Sequence, residues 1–357
     1  MVVNDESQTN GGYPNPGQWI PVQRNASEAH LILSVVICTH NPVFDNLSRV
    51  LAALKQQELD RSKWELLIVD NCSDTTQVKQ LTVAWHPNYR YVYEHRKGIF
   101  HARQRAFYES QADLVVFFDD DTYPDPDYLL RTLSVAEQHP ALGLWGGACS
   151  SPHEDLFPCW FTPSYFGIRH GFKQRIVHSK HTYYSVFGAG MTIRRAVFEG
   201  YCRHIEASEK HRLILHELPD GFLAGEDDDI SLYSLYHHAP IGSFGELRIV
   251  HDLDPIRVNN AHLFELAKRI TTSQLLRSWT WFGKPKRTRM YRIRFALFKC
   301  LACMKKRMSG NTASPKGCGH IGACIRDHIR WCLIHIKAEQ AALKDIQRLN
   351  KQLRRKE

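Results

Sequence analysis

Residues 31–42, LILSVVICTHNP, contain the stretch that decides the fold. Residues 31–38 are a continuous apolar run rich in β-branched side chains, and the turn-forming residues 39–42 follow at once. A continuous apolar run, as opposed to an alternating one, is typical of a parallel strand that is buried on both faces. We therefore expect a buried parallel strand that ends in a polar turn.

Two further runs repeat this pattern. Residues 64–69 (WELLIV) lead into Asp70, and residues 113–118 (DLVVFF) lead into three consecutive aspartates. The intervening residues 46–57 and 98–110 have the composition and spacing of helices. Strands that alternate with helices predict an α/β fold with a mostly parallel, doubly wound sheet.

The carboxyl ends of parallel strands meet at one edge of such a sheet, where ligands bind. Each of the three predicted strands is followed by polar side chains at this point. The sequence therefore predicts a ligand-binding edge. Its members are His40 and Asn41, Asp70 and Asn71, and Asp119, Asp120 and Asp121.

Composition and charge divide the chain of 357 residues. With 43% hydrophobic residues it has enough apolar material for a sizeable core, which excludes a disordered or collagenous protein. Residues 1–283 have a net charge of −7, whereas residues 284–357 carry +16. We predict a mobile arm over residues 1–29, a catalytic domain over 30–255 and a basic helical region over 256–357.

The basic region predicts attachment to an anionic partner. Residues 284–307 contain ten Lys and Arg and no Asp or Glu, interleaved with apolar and aromatic residues. This pattern favours contact with an anionic membrane surface. Nucleic-acid binding and docking onto the acidic body are the alternatives. Residues 325–353 predict a terminal helix packed on the body, while the oligomeric state stays open.

No run of apolar residues reaches the roughly 18 that a membrane-spanning helix needs. We therefore expect a cytoplasmic protein. If the basic residues 284–307 contact a membrane, we expect peripheral attachment at the inner face of the cytoplasmic membrane.

Two acidic runs carry the candidate chemistry. Asp119–Asp121 would repel one another unless a cation neutralises them, and hard oxygen donors suit Mg²⁺ or Mn²⁺. A solvated acidic turn is the alternative. The second run, GEDDD at 225–229, precedes a helical stretch, so capping is one explanation and a general base is the other. The aromatic residues between 150 and 188 either pack on the sheet or line a substrate cleft.

In their order along residues 31–255, these motifs resemble the inverting family 2 glycosyltransferases with the GT-A fold. The motifs that carry the resemblance are the turn at 39–42, Asp70 in VDNCSD, Gly98 and Arg103 in KGIFHARQRA, FFDDD, FGAGM at 187–191, GEDDD, and the late His251.

The resemblance implies a donor site for a nucleotide sugar. Asp70 matches the family aspartate that contacts the base, and Thr39 and Asn41 lie in the matching base and ribose loop. Arg103 matches a basic residue that faces the nucleotide. UDP is the expected nucleotide, with GDP and dTDP as alternatives.

The resemblance also implies a metal site. Asp119 and Asp121 match the ends of the DxD motif, which places Mn²⁺ or Mg²⁺ on the diphosphate, and Asp120 is the variable middle residue. His251 resembles a late histidine ligand of some members.

On the acceptor side, Asp227 matches the general base, although a shifted register would give that role to Glu226 or Asp228. Gly188, Ala189 and Gly190 match an acceptor or sugar loop, or form a plain turn. The expected acceptor is a saccharide or a lipid-linked saccharide. A nucleotidyltransferase of related fold and a nucleic-acid-binding protein that acts through its tail are the alternative functions.

Overall fold

The computed structural model describes most of the chain, except for the N-terminal segment and part of the basic region. The described residues are 31–283, apart from 75–76, 82, 159, 181–183 and 218–224, together with 321–355. The predicted arm, residues 1–29, and the basic segment 284–307 lie outside the described residues.

Within the described residues, nine strands form one sheet in the order β3-β2-β1-β4-β8-β6-β9-β5, and β7 pairs with β9. The strands are β1 Leu33–Thr39, β2 Trp64–Asn71, β3 Tyr89–Glu94, β4 Leu114–Phe118, β5 Thr122–Pro124, β6 Leu144–Ser150, β7 Gln174–Val177, β8 Met191–Arg194 and β9 Ile241–His251.

The first half of the sheet is parallel, as the apolar runs predicted. β1 pairs in parallel with β2 and with β4, and β2 pairs in parallel with β3. In this register Thr39 lies opposite Asp70, so the polar residues after both strands start at the same level. The second half is mixed, because β8 runs antiparallel to β4 and β6, whereas β6 and β9 are parallel.

Helices cover both faces of this sheet. They are α1 Phe44–Lys55, α2 Gln77–Gln80, α3 Ile99–Glu109, α4 Tyr128–Gln138, α5 Arg195–Ala207, α6 Glu209–Glu217, α7 Glu226–Tyr236, α8 Asn260–Phe282 and α9 Ile321–Leu353. Two apolar clusters fill the space between helices and sheet. Val35 and Ile37 belong to one cluster and Val36 to the other, because successive strand residues point to opposite faces. The predicted α/β class is confirmed.

α8 and α9 continue the body beyond residue 255. Leu263 and Phe264 of α8 belong to the same core cluster as the sheet residues. Ala342, Ile346 and Leu349 form a buried stripe on α9 that packs with side chains of α8 and α6. The terminal helix thus packs on the body, as the sequence predicted. None of the helices in the described ranges has the sustained apolar sequence that a bilayer crossing requires.

Candidate active site

The carboxyl ends of β1, β2 and β4 bring three predicted site residues together. Thr39 ends β1, and its hydroxyl donates a hydrogen bond to the Asp120 carboxylate. Asp70 lies opposite Thr39 in β2 and is buried. Its carboxylate accepts hydrogen bonds from the Ser73 backbone N–H at 3.0 Å and from the Tyr91 hydroxyl at 2.9 Å.

Asn41 joins the turn after β1 to the turn after β2. Its Nδ2 donates to Asp74 Oδ2 at 2.7 Å, and its Oδ1 accepts from the Asp74 backbone N–H at 2.7 Å. The backbone of Asn41 has φ 51°, in the left-handed region that asparagine tolerates better than most residues. Two turns far apart in sequence therefore form one polar rim.

The first acidic run concentrates negative charge at this rim. Burial and the neighbouring Asp121 raise the pKa of Asp119. Burial raises the pKa of Asp120 to about 6, and the Thr39 hydrogen bond opposes the shift without cancelling it. The charge of Asp119 and Asp120 is therefore only partly compensated by the protein.

Asp121 differs from its neighbours because two cationic side chains hold it. Arg257 NH1 lies 2.7 Å from its Oδ2, and His251 Nε2 lies 3.2 Å from its Oδ1. Burial raises the pKa of Asp121, but these hydrogen bonds outweigh burial and lower it. Burial also lowers the pKa of His251, yet its hydrogen bonds to Asp121 and Cys149 raise it to about 10.

The metal ligands that the resemblance implies are Asp119, Asp121 and His251. Among the described residues, no group of three or more His, Cys, Asp or Glu side chains is arranged to hold a metal ion. His251 Nε2 lies beside Asp121 Oδ1, and the role of metal ligand that the resemblance implies for His251 stays a prediction. Asp119 and Asp121 do fit Mg²⁺ or Mn²⁺, because these ions bind one or two carboxylates together with substrate phosphates and waters.

The second acidic run is dispersed by the helix that it begins. α7 starts at Glu226, and successive residues point about 100° apart around its axis. Glu226 forms an ion pair with Arg103 at 3.0 Å, and Asp228 forms one with Arg277 at 2.6 Å. Asp229, the last carboxylate of the run, is fully buried and accepts hydrogen bonds from Tyr201 and Trp281.

Asp227 is held by backbone donors. Its Oδ2 accepts from the Gly188 N–H and its Oδ1 from the Asp228 N–H, both at 3.0 Å. Its side chain is partly exposed, whereas that of Glu226 is buried. Burial and repulsion from Asp228 raise the pKa of Asp227 to about 6. A carboxylate with this pKa is ionised at neutral pH and is a stronger base than an ordinary aspartate.

Arg103 lies where the two acidic runs converge. Its guanidinium is buried and packs over the Phe117 ring at 5.4 Å. Burial alone lowers its pKa. Glu226, Asp119 and Asp227 raise it by more, so carboxylates from both runs lie within electrostatic range of one cation. The role expected from the resemblance, facing the nucleotide, stays a prediction.

The three residues of the FGAGM loop have structural reasons for their small size. A Cβ on Gly188 would overlap the Arg103 guanidinium. Gly190 has φ 71°, and a Cβ there would come 2.6 Å from the Tyr128 hydroxyl, which donates to the Gly190 carbonyl. Ala189 is partly buried against the core. Packing inside the protein therefore accounts for both glycines.

Sequence reasoning missed two arginines of this site. Arg257 lies in the turn Pro255–Val258 after β9, and Arg277 lies on α8. Arg277 binds Asp228 and also donates to the Gly225 carbonyl at 3.0 Å. Neither arginine belongs to a motif, and only the fold brings them to the carboxylates.

Residues 34–201 match the family model described as Glycosyl transferase family 2. These residues are a little under half of the chain, and they are similar to family 2 glycosyltransferase domains. The similarity agrees with the predicted family. Asp119–Asp121 lie inside the matched range, whereas α7, with Asp227, and His251 follow it in sequence.

Comparisons with individual proteins extend over parts of the chain. Glycosyltransferase AglE of Haloferax volcanii is 30% identical over 106 residues, which are 29% of this chain and 34% of AglE. The chain thus spans about a third of the length of this curated relative. S. aureus TarS in complex with UDP-GlcNAc is similar with a TM-score of 0.44 and 13% identity, over 69% of this chain and 67% of that one. GalNAc-T7 with UDP, GalNAc and Mn²⁺ is similar with a TM-score of 0.46 and 13% identity, over 73% of this chain and 53% of that one.

Proposed function

We propose that the protein is a metal-dependent inverting glycosyltransferase that moves a sugar from a nucleotide sugar, a UDP-sugar, to a saccharide or lipid-linked saccharide. One observation carries the proposal. The buried Arg103 pairs at 3.0 Å with Glu226 of the second acidic run, and Asp119 of the first run, about a hundred residues earlier in sequence, also raises the pKa of Arg103, as does Asp227. Transfer of a sugar needs one negatively charged centre for a cation and a second that accepts a proton.

The donor side is the rim formed by Thr39, Asn41, Asp70 and the first acidic run. Asp119 and Asp121 would hold Mn²⁺ or Mg²⁺, which supplies positive charge to the departing nucleoside diphosphate. Arg257 and His251 place two further positive side chains on Asp121 at the same place. Thr39 fixes Asp120 through its hydroxyl, which keeps the middle carboxylate from turning freely.

The acceptor side is Asp227. The Gly188 and Asp228 N–H groups orient its carboxylate, and its raised pKa suits proton transfer near neutral pH. In the proposed step the acceptor hydroxyl oxygen attacks the anomeric carbon from the side opposite the diphosphate. Its proton passes to Asp227 as the bond to the diphosphate breaks. One displacement of this kind inverts the configuration and needs no covalent intermediate.

A nucleotide-binding measurement tests this function. We expect thermal stabilisation of the whole chain by UDP in the presence of Mn²⁺, with little or none by UDP alone, GDP or dTDP. Asp121→Ala should abolish the Mn²⁺-dependent shift. Asp125→Ala is the matched control, because Asp125 is a nearby surface carboxylate that pairs with Arg248. The proposed donor site would be wrong if no nucleotide stabilised the protein. It would also be wrong if the thermal shift were lost equally in Asp121→Ala and Asp125→Ala.

The outward face of α9 supports the proposal of a membrane contact at the inner face of the cytoplasmic membrane. Arg326, Arg330, Lys337 and Lys344 are exposed on this face. Two large apolar side chains, Ile329 and Leu333, are exposed beside them, at 56% and 51%. Basic and apolar residues on one helix face favour binding at an anionic headgroup layer. The basic segment 284–307 extends the same proposal.

Vesicle sedimentation tests the membrane contact. The protein should bind vesicles that contain anionic phosphatidylglycerol and not pure phosphatidylcholine. Ile329→Ser with Leu333→Ser should weaken binding several-fold, since these side chains would enter the apolar boundary. Binding to duplex DNA as strong as to the anionic vesicles, and unchanged in the double variant, would favour the nucleic-acid alternative.

A further inference from the structure

A band of alternating arginine and aromatic side chains begins in the FGAGM loop. The Arg169 guanidinium carbon lies 4.2 Å from the centre of the Phe187 ring and 4.9 Å from that of the Tyr184 ring. The Arg175 guanidinium carbon lies 4.2 Å from the Tyr184 ring. We call these four side chains the arginine–aromatic band. Each contact is within the distance at which a cation is attracted by an aromatic face.

The band begins next to the proposed base. Phe187 directly precedes Gly188, whose N–H donates to Asp227. If Asp227 accepts the proton of the acceptor hydroxyl, the acceptor sugar lies against this loop. The rest of an extended acceptor must then leave Asp227 along one of the neighbouring surfaces, and the band is continuous with the loop that orients the base.

The band is held in place by the sheet. The Arg169 backbone exchanges two hydrogen bonds with Cys149 of β6, at 2.7 and 2.8 Å, and its NH1 donates to the Ser185 carbonyl at 3.0 Å. Arg175 belongs to β7, where it pairs with Ser243 of β9. Because the backbone is fixed, little conformational entropy is lost when a ligand binds there.

Among the described residues, no carboxylate neutralises the positive charge of the band. In the part of the chain that the structure describes, neither Arg169 nor Arg175 forms an ion pair with a carboxylate. A guanidinium that stacks on a ring keeps N–H donors at its edge, where they match the two oxygens of a carboxylate or phosphate.

We propose that the arginine–aromatic band is an acceptor subsite for an anionic saccharide, a sugar chain that carries carboxylate or phosphate groups. The inference rests on the proposed function, because it assigns the chemical class of the acceptor. Arg169 and Arg175 bind the anionic groups, and the Phe187 and Tyr184 rings hold the two guanidinium groups in position.

Arginine footprinting of the whole chain tests the subsite. The protein is modified with phenylglyoxal and analysed by mass spectrometry in the presence of oligogalacturonate, a phosphomannan oligosaccharide or a neutral dextran oligomer. We expect one or both anionic probes to protect Arg169 and Arg175 about fivefold or more from modification, and dextran to give no protection. A fivefold effect is smaller than the change in affinity that a single charge-assisted hydrogen bond can produce. The two anionic probes distinguish carboxylate from phosphate.

Arg61 is the internal control. It also stacks on an aromatic ring, that of Trp85 at 5.5 Å, and its NH2 donates to the Lys55 carbonyl at 2.9 Å. It lies at the opposite, amino-terminal end of β2. Equal protection of Arg61, protection by dextran, or protection confined to arginines of the basic tail would overturn the inference.

Variants separate the subsite from the proposed function. Arg169→Gln with Arg175→Gln should weaken binding of the protective probe by about tenfold or more, while Arg61→Gln leaves it unchanged. The Mn²⁺-dependent shift with UDP should persist in all three proteins. If that shift is present and the double variant still binds the probe normally, the subsite is wrong and the enzyme assignment stands. If no nucleotide shifts even the unmodified protein, the proposed function fails irrespective of the footprint.

Discussion

The runs Asp119–Asp121 and Glu226–Asp229 have almost the same composition, but the fold treats them in opposite ways. The first follows a strand, and its carboxylates share one rim, where mutual repulsion contributes to the raised pKa values of Asp119 and Asp120. The second begins a helix, and its carboxylates face different partners, from Arg103 to Tyr201. A strand end concentrates charge, whereas a helical turn distributes it.

This difference assigns different chemistry to the two runs. Concentrated carboxylates favour a cation, and Asp121 already attracts Arg257 and His251. In the dispersed run, ion pairs or complete burial engage three of the carboxylates. Asp227 is the member that combines partial exposure with two backbone donors, which is why the proposed function assigns the acceptor hydroxyl to it.

The largest expected effect is the loss of turnover when Asp227 is changed to Asn. We expect kcat to fall by about 10²–10⁴, the usual contribution of a general base, because the amide cannot take the acceptor proton. Donor binding should stay within about twofold, since the donor rim is formed by other residues. Steady-state kinetics together with UDP calorimetry measures both quantities.

Asp228→Asn is the matched control for that prediction. It removes the same charge from the next residue, which pairs with Arg277 instead of facing the acceptor side. Its kcat should fall by less than about tenfold, in keeping with a supporting contact. If kcat fell equally in the two variants, the loss would come from removing any negative charge of the run. Asp227 would then have no separate role as the base.

The next effect concerns the residue that joins the two runs. Arg103→Met keeps an unbranched apolar stem but leaves Glu226 buried without its cation, and breaking a buried pair in this way costs about 3–5 kcal/mol in the free energy of unfolding. Urea unfolding at pH 8 measures this loss. The loss should shrink below pH 6, because Glu226, with a pKa of about 7, becomes neutral.

Arg105→Met provides the comparison on the same helix. Arg105 pairs with Glu109 one turn along α3, where both side chains are partly exposed, and an i,i+4 pair contributes only about 0.3–0.5 kcal/mol. If both variants lose the same stability, Arg103 does not have the special role of joining the two acidic runs.

The comparison also explains how much the sequence could predict. Long apolar runs predicted β1, β2 and β4, and therefore the rim with Asp70 and Asp119. Strands of three or four residues such as β5 and β8 carry too little pattern, and their pairing is set by partners distant in sequence. Resemblance alone selected Asp227, because the neighbouring carboxylates differ only in their direction around α7.

The pH dependence of turnover is the next smaller effect. Asp227 must be ionised to accept a proton, and its pKa is about 6. We therefore expect kcat to be level above pH 7 and to fall by about tenfold per pH unit well below 6, as the protonated fraction grows. A profile recorded between pH 4.5 and 8 with saturating donor checks it. A fall that begins only near pH 4 would indicate a base with an unperturbed carboxyl group.

The smallest effect is one of stability, and it has the opposite sign to the loss of activity. The pKa of Asp227 is raised in the folded protein from an ordinary value of 3.8 to about 6, so its ionised form is less favourable folded than unfolded. The cost is small below pH 3.8, where both states are mostly protonated, grows as the pH rises from 3.8 to 6, and is nearly complete above pH 7. Asp227→Asn removes it and should add about 1 kcal/mol to the free energy of unfolding at pH 8, after allowance for the hydrogen bond that the amide group loses, and little at pH 3.5. Urea unfolding at the two pH values measures this difference.

The contradicting outcome is a variant that is less stable than the unmodified protein at pH 8. It would mean that the hydrogen bonds from Gly188 and Asp228 stabilise the Asp227 carboxylate more than burial disfavours it, so that ionised Asp227 does not lower the free energy of unfolding.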